Sequence, residues 1–220
     1  MNTAGADSWR CSIEDDSQIL FSCLFVRDAF LLAQNERGIV PPRLSIVVPD
    51  LRSSIPNLEL NQMSGTWQKW WNSTIDFHSK IGLDQFRRKN QEFDFETLAS
   101  ERKKVFDPPE FECLQEWPSL QLAAKTVQQL ASQSHNDDGQ RTSSARGNAP
   151  RAKMIADLVE ELRVKRSPED MNLTFGIVGL PVIGKWWSFP RPDFLICSHE
   201  TMSDEAEFLR LVRRLVVIRN

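Results

Sequence analysis

The chain of 220 residues contains no tyrosine and only three histidines, so few of its side chains can exchange protons near neutral pH. It also lacks the G-x-S-x-G, H-E-x-x-H and G-x-G-x-x-G motifs of common hydrolases, zinc peptidases and dinucleotide-binding proteins. Its four cysteines lie far apart, which predicts reduced thiols rather than a disulfide framework: Cys11, Cys23, Cys113 and Cys197. We therefore expect no bound metal or cofactor, and the sequence favours a protein that is not an enzyme.

Long apolar runs and an excess of one charge are absent as well. The apolar run Ile19–Val26 is interrupted by Ser22 and is far shorter than the ~20 residues that cross a bilayer. The first residues are polar and acidic, unlike the basic start of a secretory signal. The 27 basic and 30 acidic residues give a net charge of −3, which argues against a general nucleic-acid coat but permits a local basic face. We expect a soluble, cytoplasmic protein that does not contact a membrane.

Composition divides the chain into four parts. Residues 1–16 are predicted to be a loose terminus, and residues 17–131 a mainly helical part. Residues 132–150, SQSHNDDGQRTSSARGNAP, hold almost no apolar side chain, which predicts a mobile linker or a functional lid. Residues 151–220 are predicted to form an α+β unit that packs with 17–131 as one domain.

The strongest helical pattern follows Ser64, where Trp67, Trp70, Trp71 and His78 fall on one face. This stripe predicts a core helix, and its alternative is an aromatic groove for a ligand. Helices are also predicted over about 94–104, 118–131 and 154–162 and from Ser203 onward, whereas 17–34 fits either a helix or a buried strand. Strands are predicted at Met171–Leu180, Trp186–Phe189 and Asp193–Cys197. The predicted fold is a helix-rich α+β protein whose C-terminal helix–β-hairpin–strand–helix unit packs a small antiparallel sheet.

The stretch GLPVIGKW, residues 179–186, resembles the G-x-x-x-x-G-K-[ST] loop that binds nucleotide phosphates. Trp186 stands where a magnesium-binding Ser or Thr is required, and the prolines that follow do not suit the helix that such a loop opens. We predict instead a hairpin turn in which Pro181 fixes the backbone and Gly184 adopts a left-handed conformation. Lys185 is then exposed and dispensable.

The stretch PDFLICSHE places acids and a base close together in the sequence. Asp193, His199 and Glu200 are the candidate catalytic residues of a hydrolase or nuclease, and Cys197 with His199 resembles a nucleophile pair. The alternative is a connection from a strand to a helix, in which Ser198, Thr201 or Ser203 caps the helix. No spacing in this stretch suggests a metal site.

Four residues near the C-terminus are candidates for contact with a partner: Trp187, Arg210, Arg213 and Arg214. A basic amphipathic helix suits an acidic protein or nucleic acid, although such a face is also common on solvated helices. The predicted function is a non-catalytic interaction protein or accessory subunit of a cytoplasmic assembly, with another protein as partner. The alternatives are a hydrolase or nuclease that uses His199, and a nucleic-acid-binding regulator that uses the C-terminal arginines.

Overall fold

The computed structural model describes residues 2–4, 9–15, 17–33, 40–55, 60–87, 95–145, 148–163 and 173–217. Within these ranges the chain forms five β-strands: Asn2–Ala4 (β1), Trp9–Glu14 (β2), Leu173–Leu180 (β3), Trp187–Arg191 (β4) and Phe194–Ser198 (β5). The same ranges contain seven α-helices: Gln18–Ala29 (α1), Leu60–Arg87 (α2), Phe95–Lys103 (α3), Pro118–Ala145 (α4), Asn148–Arg163 (α5), His199–Ser203 (α6) and Glu205–Val217 (α7). The helix-rich α+β prediction is confirmed.

All five strands belong to one mixed sheet with the order β1–β2–β3–β5–β4. The strands β2, β3 and β5 run parallel, while β1 and β4 pair antiparallel at the two edges. Every residue of β3 is buried, as expected for a strand that is covered on both faces. The prediction of a small antiparallel sheet is therefore wrong, because the central strands are parallel.

The predicted hairpin lies at a different place in the chain. After β3 the chain passes β5 and enters β4 at the far edge, so GLPVIGKW does not connect two paired strands. The hairpin is β4–β5, in which Trp187 pairs with Cys197 and Arg191 with Phe194. The strands themselves lie within one or two residues of their predicted bounds, apart from Met171 and Asn172, which are outside the described residues. Side-chain periodicity locates strands but does not determine which strands pair.

The N-terminal segment forms part of the sheet rather than a loose terminus. Trp9, Cys11 and Ile13 are buried and alternate with half-buried residues, and β2 pairs with β3 over its whole length. This alternation is the pattern of a strand with one strongly buried face. The prediction for residues 1–16 is wrong at β1 and β2, and residues 1, 5–8 and 16 lie outside the described ranges.

Helices cover both faces of the sheet. On one face, residues of α1, α2 and α4 pack against Val178, Leu180 and Ile196. On the other face, residues of α5 and α7 pack against Phe175 and Leu195. The chain therefore leaves β2 toward the first face, through α1, and leaves β5 toward the second, through α6 and α7.

The tryptophan stripe of α2 belongs to the core. Trp67, Trp70 and Trp71 are 0%, 1% and 0% exposed. The indole of Trp67 donates to the Cys23 carbonyl at 2.8 Å, and that of Trp70 to the Val105 carbonyl at 2.8 Å. The prediction of a core helix is confirmed, and the aromatic-groove alternative is wrong.

The predicted linker at 132–150 is helical wherever the structure describes it. Helix α4 continues to Ala145 and α5 begins at Asn148, while residues 146 and 147 lie outside the described ranges. The His135 ring stacks on Phe21 of α1 with 5.1 Å between ring centroids. A run of polar residues is compatible with a solvated helix as well as with a loop. The composition of this segment therefore could not distinguish a helix from the predicted linker.

Candidate functional site

The structure does not support the phosphate-loop interpretation of GLPVIGKW. Gly179 lies inside β3, and strand β4 rather than a helix follows Lys185. Gly184 has φ +74°, which confirms the predicted left-handed conformation. Lys185 is exposed and its Nζ lies 2.7 Å from an Asp204 carboxylate oxygen. Helix-terminal N–H groups for a phosphate are therefore missing at this loop.

The three candidate catalytic residues do not converge. Asp193 precedes β5 and His199 follows it, so the length of a five-residue strand, roughly 17 Å, separates them. Asp193 pairs with Arg191 at 3.3 Å, and Glu200 is exposed at the start of α6. The capping interpretation is confirmed, because the Ser198 hydroxyl accepts from the Thr201 N–H at 3.1 Å.

Cys197 is unsuited to act as a nucleophile. It is fully buried in β5, and this burial raises the pKa of its thiol to about 12. A thiol with such a pKa stays protonated at neutral pH, whereas the thiolate is the reactive form. Among the described residues, no three His, Cys, Asp or Glu side chains are grouped so that they could hold a metal ion.

Titratable side chains gather instead where the parallel strands β2, β3 and β5 end. We call this group the carboxyl-edge cluster: Glu14, Asp15, Ser17, His78, Arg151 and His199. Glu14 ends β2 and Asp15 follows it, Ser17 precedes α1, and His199 begins α6 after β5. Helices α2 and α5 contribute the other two residues. In open sheets with helices on both faces, ligands bind beyond the carboxyl ends of the parallel strands, where helices leave to opposite sides.

Asp15 is fixed by two contacts within the cluster. An Arg151 guanidinium nitrogen donates to its carboxylate at 2.6 Å, and His199 Nε2 lies 2.5 Å from its carbonyl oxygen. Gly179 of β3 lies close to the same carbonyl group, because a Cβ added to this glycine would lie 3.2 Å from the Asp15 carbonyl oxygen. These contacts join β2, β3, α5 and α6 at one edge of the sheet.

Ser17, His78 and Glu14 form the second half of the cluster. The Ser17 Oγ lies 2.5 Å from Nε2 of His78, while Nδ1 of the same ring lies 3.7 Å from a Glu14 carboxylate oxygen. Burial lowers the pKa of His78 to about 4, so its imidazole is neutral at pH 7. Sequence reasoning missed these residues, although polar residues between an alternating strand and a helix are a signal for a strand-end site.

A second group lies on the surface where β4 meets α7. We call it the arginine–aromatic face: Trp187, Phe189, Arg210 and Arg214. The Arg210 and Arg214 guanidinium carbons lie 5.7 and 5.8 Å from the centre of the Trp187 ring, and Arg214 lies 4.8 Å from that of Phe189. The structure thus brings together three of the four predicted interaction residues. Phe189 was not among the predicted interaction residues, but its position two residues beyond Trp187 places it on the same strand face.

The fourth predicted residue, Arg213, is directed elsewhere. One of its guanidinium nitrogens lies 3.3 Å from a Glu161 carboxylate oxygen of α5. Arg210 also has a carboxylate partner, because two of its nitrogens lie 2.7 and 2.6 Å from the Glu207 oxygens. Among the residues that the structure describes, no carboxylate lies within ion-pair distance of Arg214.

Comparisons with protein-family models, with curated proteins and with solved structures found no match to this chain. None of the described helices is both long enough and apolar enough to span a bilayer. The carboxyl-edge cluster and the arginine–aromatic face are therefore the two candidate functional sites.

Proposed function

We propose that this protein binds an acidic segment of another protein through the arginine–aromatic face and serves as an accessory subunit of a cytoplasmic assembly. The observation that carries the proposal is the placement of two exposed arginines over the Trp187 and Phe189 rings. Arginine and tryptophan are the residue types that most often dominate binding energy at protein interfaces.

The placement of arginines over aromatic rings suits recognition of carboxylates. A guanidinium that lies over an aromatic ring uses its flat face for the ring and keeps the N–H groups at its edge available. Those N–H groups form a fork that matches a carboxylate in a two-point contact. Arg214 is the better candidate of the pair, because it has no carboxylate partner among the described residues, whereas Arg210 is already paired with Glu207.

Strand β4 limits how a partner can dock beside the arginines. It is an edge strand, so its outer N–H and C=O groups are available for pairing with another strand. Pro190 is exposed within it, and its pairing with β5 is shifted between Ser188 and Arg191. Proline and irregular register both oppose the addition of a long strand. We therefore favour recognition by side chains over extension of the sheet.

The charges around α7 favour a protein partner over nucleic acid. Asp204, Glu205 and Glu207 lie at the start of the same helix that carries the arginines, and Glu161 lies beside Arg213. A surface that binds a phosphate backbone usually has clustered positive charge without interleaved carboxylates. Mixed charges with two arginines over an aromatic platform suit a short acidic segment.

Quantitative affinity purification of the tagged full chain from its native host tests the proposal. The variant carries Arg210→Gln and Arg214→Gln together, and the matched control is Arg213→Gln, whose side chain contacts Glu161 instead. We expect a stoichiometric partner with the wild type and the control, and at least a tenfold loss with the double variant. A partner that is retained equally by the double variant would contradict the proposed surface. Retention on DNA with a steep dependence on salt would favour the nucleic-acid alternative.

A further inference from the structure

Three residues of the carboxyl-edge cluster stand in the order nucleophile, base and acid. Ser17 Oγ is 2.5 Å from one nitrogen of the His78 ring, and a Glu14 carboxylate oxygen is 3.7 Å from the other. A hydroxyl in contact with an imidazole that is oriented by a third group is the general arrangement of acyl-transfer sites. Such sites are recognised by geometry and roles, and their order along the chain varies.

The position of Ser17 in the fold suits this chemistry. It follows the parallel strand β2 and caps α1, so its hydroxyl lies at a strand-to-helix turn at the carboxyl edge of the sheet. The N–H groups of the first helical turn have no acceptor within the helix. Gln18 and Ile19, which directly follow Ser17, therefore supply donors of the kind that stabilise an oxyanion.

Helix capping alone does not account for the arrangement. As N-cap, the Ser17 Oγ accepts from the Leu20 N–H at 3.5 Å, which is a long hydrogen bond. A cap needs only the lone pairs of the hydroxyl, yet this hydroxyl also meets a mostly buried imidazole. With Nε2 accepting from Ser17, the proton of the neutral ring lies on Nδ1, on the side of Glu14.

We infer that Ser17, His78 and Glu14 form an acyl-transfer site that hydrolyses esters of small acyl groups. This inference does not depend on the proposed partner binding. Ser17 is 1% exposed, so a substrate reaches its hydroxyl only when the neighbouring side chains move, and a small acyl group requires the least displacement. The side chains of His78 and Glu14 are 15% and 42% exposed, so a substrate approaches from their side.

The reaction proceeds in two balanced halves. Ser17 Oγ attacks the ester carbonyl carbon, its proton passes to His78 Nε2, and the negative charge on the carbonyl oxygen faces the start of α1. The C–O bond to the alcohol then breaks, and the alcohol leaves with the proton from His78. Water attacks the acylated Ser17 and gives one proton to His78, which returns it to Ser17 as the carboxylic acid leaves. Glu14 is a positioning residue: its carboxylate lies 3.7 Å from Nδ1, beyond hydrogen-bond distance, and acts on the ring through its negative charge.

Labelling of the full chain with a small alkyl fluorophosphonate tests the site, because this reagent modifies serine hydroxyls that a neighbouring base activates. We expect one adduct by intact mass, located on Ser17 by peptide mapping, and release of p-nitrophenol from p-nitrophenyl acetate. His78→Gln should slow both reactions by about 100-fold or more, as expected for loss of a general base. The matched control is Ser22→Ala, another buried serine of α1, which should react like the wild type.

A second pair of variants separates catalysis from folding. Ser17→Asn keeps a good N-cap but has no hydroxyl, and its larger side chain must fit a site that is 1% exposed. We therefore expect a lower melting temperature, cooperative unfolding and no adduct. Glu14→Gln removes a negative charge next to the imidazole, so the midpoint of the labelling rate against pH should move to lower pH. A purely structural role for Glu14 would change the melting temperature and leave that midpoint in place.

The inference is overturned if the wild type gives no adduct on Ser17. It is also overturned if His78→Gln, with an unchanged melting temperature, reacts as fast as the wild type. Ser17→Asn should retain the protein partner that the Arg210→Gln/Arg214→Gln variant loses. Failure of the hydrolytic site and failure of the proposed binding surface are therefore distinguishable.

Discussion

Gly179 is the residue at which several elements of the carboxyl edge come into contact. A Cβ at this position would lie 2.6 Å from the Met202 sulfur, 3.0 Å from a His199 ring carbon and 3.2 Å from the Asp15 carbonyl oxygen. The methionine can move, but the ring and the backbone are held by their own hydrogen bond. Glycine is needed here for close approach and not for a turn.

Gly179→Ala should therefore destabilise the protein by about 1–3 kcal/mol, as overpacking of a core usually does. The matched control is Gly65→Ala in α2, where no neighbouring atom lies within 4 Å of the added Cβ. Replacing glycine by alanine inside a helix should raise the free energy of unfolding by up to about 1 kcal/mol. Urea unfolding of both variants measures the difference, and equal stabilities would contradict the close approach described for β3.

We expect Gly184 to need its backbone freedom and its neighbour Lys185 to be dispensable. Gly184→Val places a β-branched residue at φ +74° and should cost on the order of 1–2 kcal/mol, although space for the side chain is open. Lys185→Ala removes an exposed ion pair to Asp204 and should leave the midpoint of urea unfolding unchanged.

A ligand that binds the native state raises the melting temperature of a protein. Because we expect no nucleotide binding at residues 179–186, ATP or GTP with magnesium should leave the melting temperature unchanged. A rise that disappears in Lys185→Ala would contradict this assignment.

His78 should make stability depend on pH. Burial lowers its pKa from 6.5 to about 4, so between these values the unfolded chain binds a proton that the folded protein does not. Stability is then fully present above pH 6.5 and falls as the pH decreases toward 4. At about 1.36 kcal/mol per pH unit, the loss between pH 7.5 and pH 5 is about 2 kcal/mol. Urea unfolding at both values should show a smaller loss for His78→Gln, and an equal loss would assign the effect to other groups.

Among the secondary-structure elements, α1 depends on a buried ion pair at its end. Arg27 and Asp28 are 3% and 5% exposed, and their side chains meet at 2.7 Å. Arg27 also donates to the carbonyls of Pro41 and Pro42 at 2.5 and 2.8 Å, and Asp28 accepts from the Leu44 N–H at 2.7 Å. The pair thus fastens the proline-rich segment after α1 to the helix.

Arg27→Met should destabilise the protein by about 3–5 kcal/mol, because it leaves a buried carboxylate and two carbonyls without their partner. The matched control is Arg52→Met, which breaks an exposed pair with Asp50 and should leave the unfolding midpoint unchanged. Thermal and urea unfolding compare the two variants. Similar small effects in both would contradict the structural role given to Arg27.

Helices and strands whose apolar residues recur at a regular spacing could be predicted from the sequence. The pairing of the strands in the sheet could not. The tryptophan stripe of α2 and the strands β3, β4 and β5 were located correctly because their apolar residues recur at helical or strand spacing. Residues 132–145 were misjudged because polarity does not distinguish a solvated helix from a loop. The mixed sheet was misjudged because strand pairing depends on chain connections that periodicity does not report.

At the scale of the whole molecule, the sheet joins the two ends of the chain. Strand β2 pairs with β3 from Trp9 to Glu14, and α1 and α5 cover opposite faces of that sheet. The carboxyl-edge cluster is assembled in the same way, from β2, α2, α5 and α6. Glu14, Asp15 and Ser17 are neighbours in the sequence, but the other three residues come from distant parts of the chain, so the grouping could not be predicted. Trp187 and the arginines lie closer together in sequence and could be named together.

Neither residues 1–145 nor residues 148–220 should therefore fold alone. Each fragment lacks strands and helices that complete its core in the full chain. This holds although the cut falls inside the segment for which the composition predicts a linker. We expect the circular dichroism and amide exchange of each fragment to resemble those of an unfolded chain, with native signals returning when the two are mixed. A fragment that unfolds cooperatively by itself would contradict this dependence. The full chain with a cleavable site at 146–147 is the control for the cut itself.

The pairing of Trp9 with Leu173 has a consequence for biosynthesis. Strand β2 waits for β3, whose paired residue lies 164 residues later in the chain, and translation of that length takes about 10–30 s at about 5–20 residues per second. During that interval Trp9, Cys11 and Ile13 emerge from the ribosome with no sheet to cover them. Nascent chains of this protein should therefore engage a chaperone at β2 and release it only when β3 has been translated.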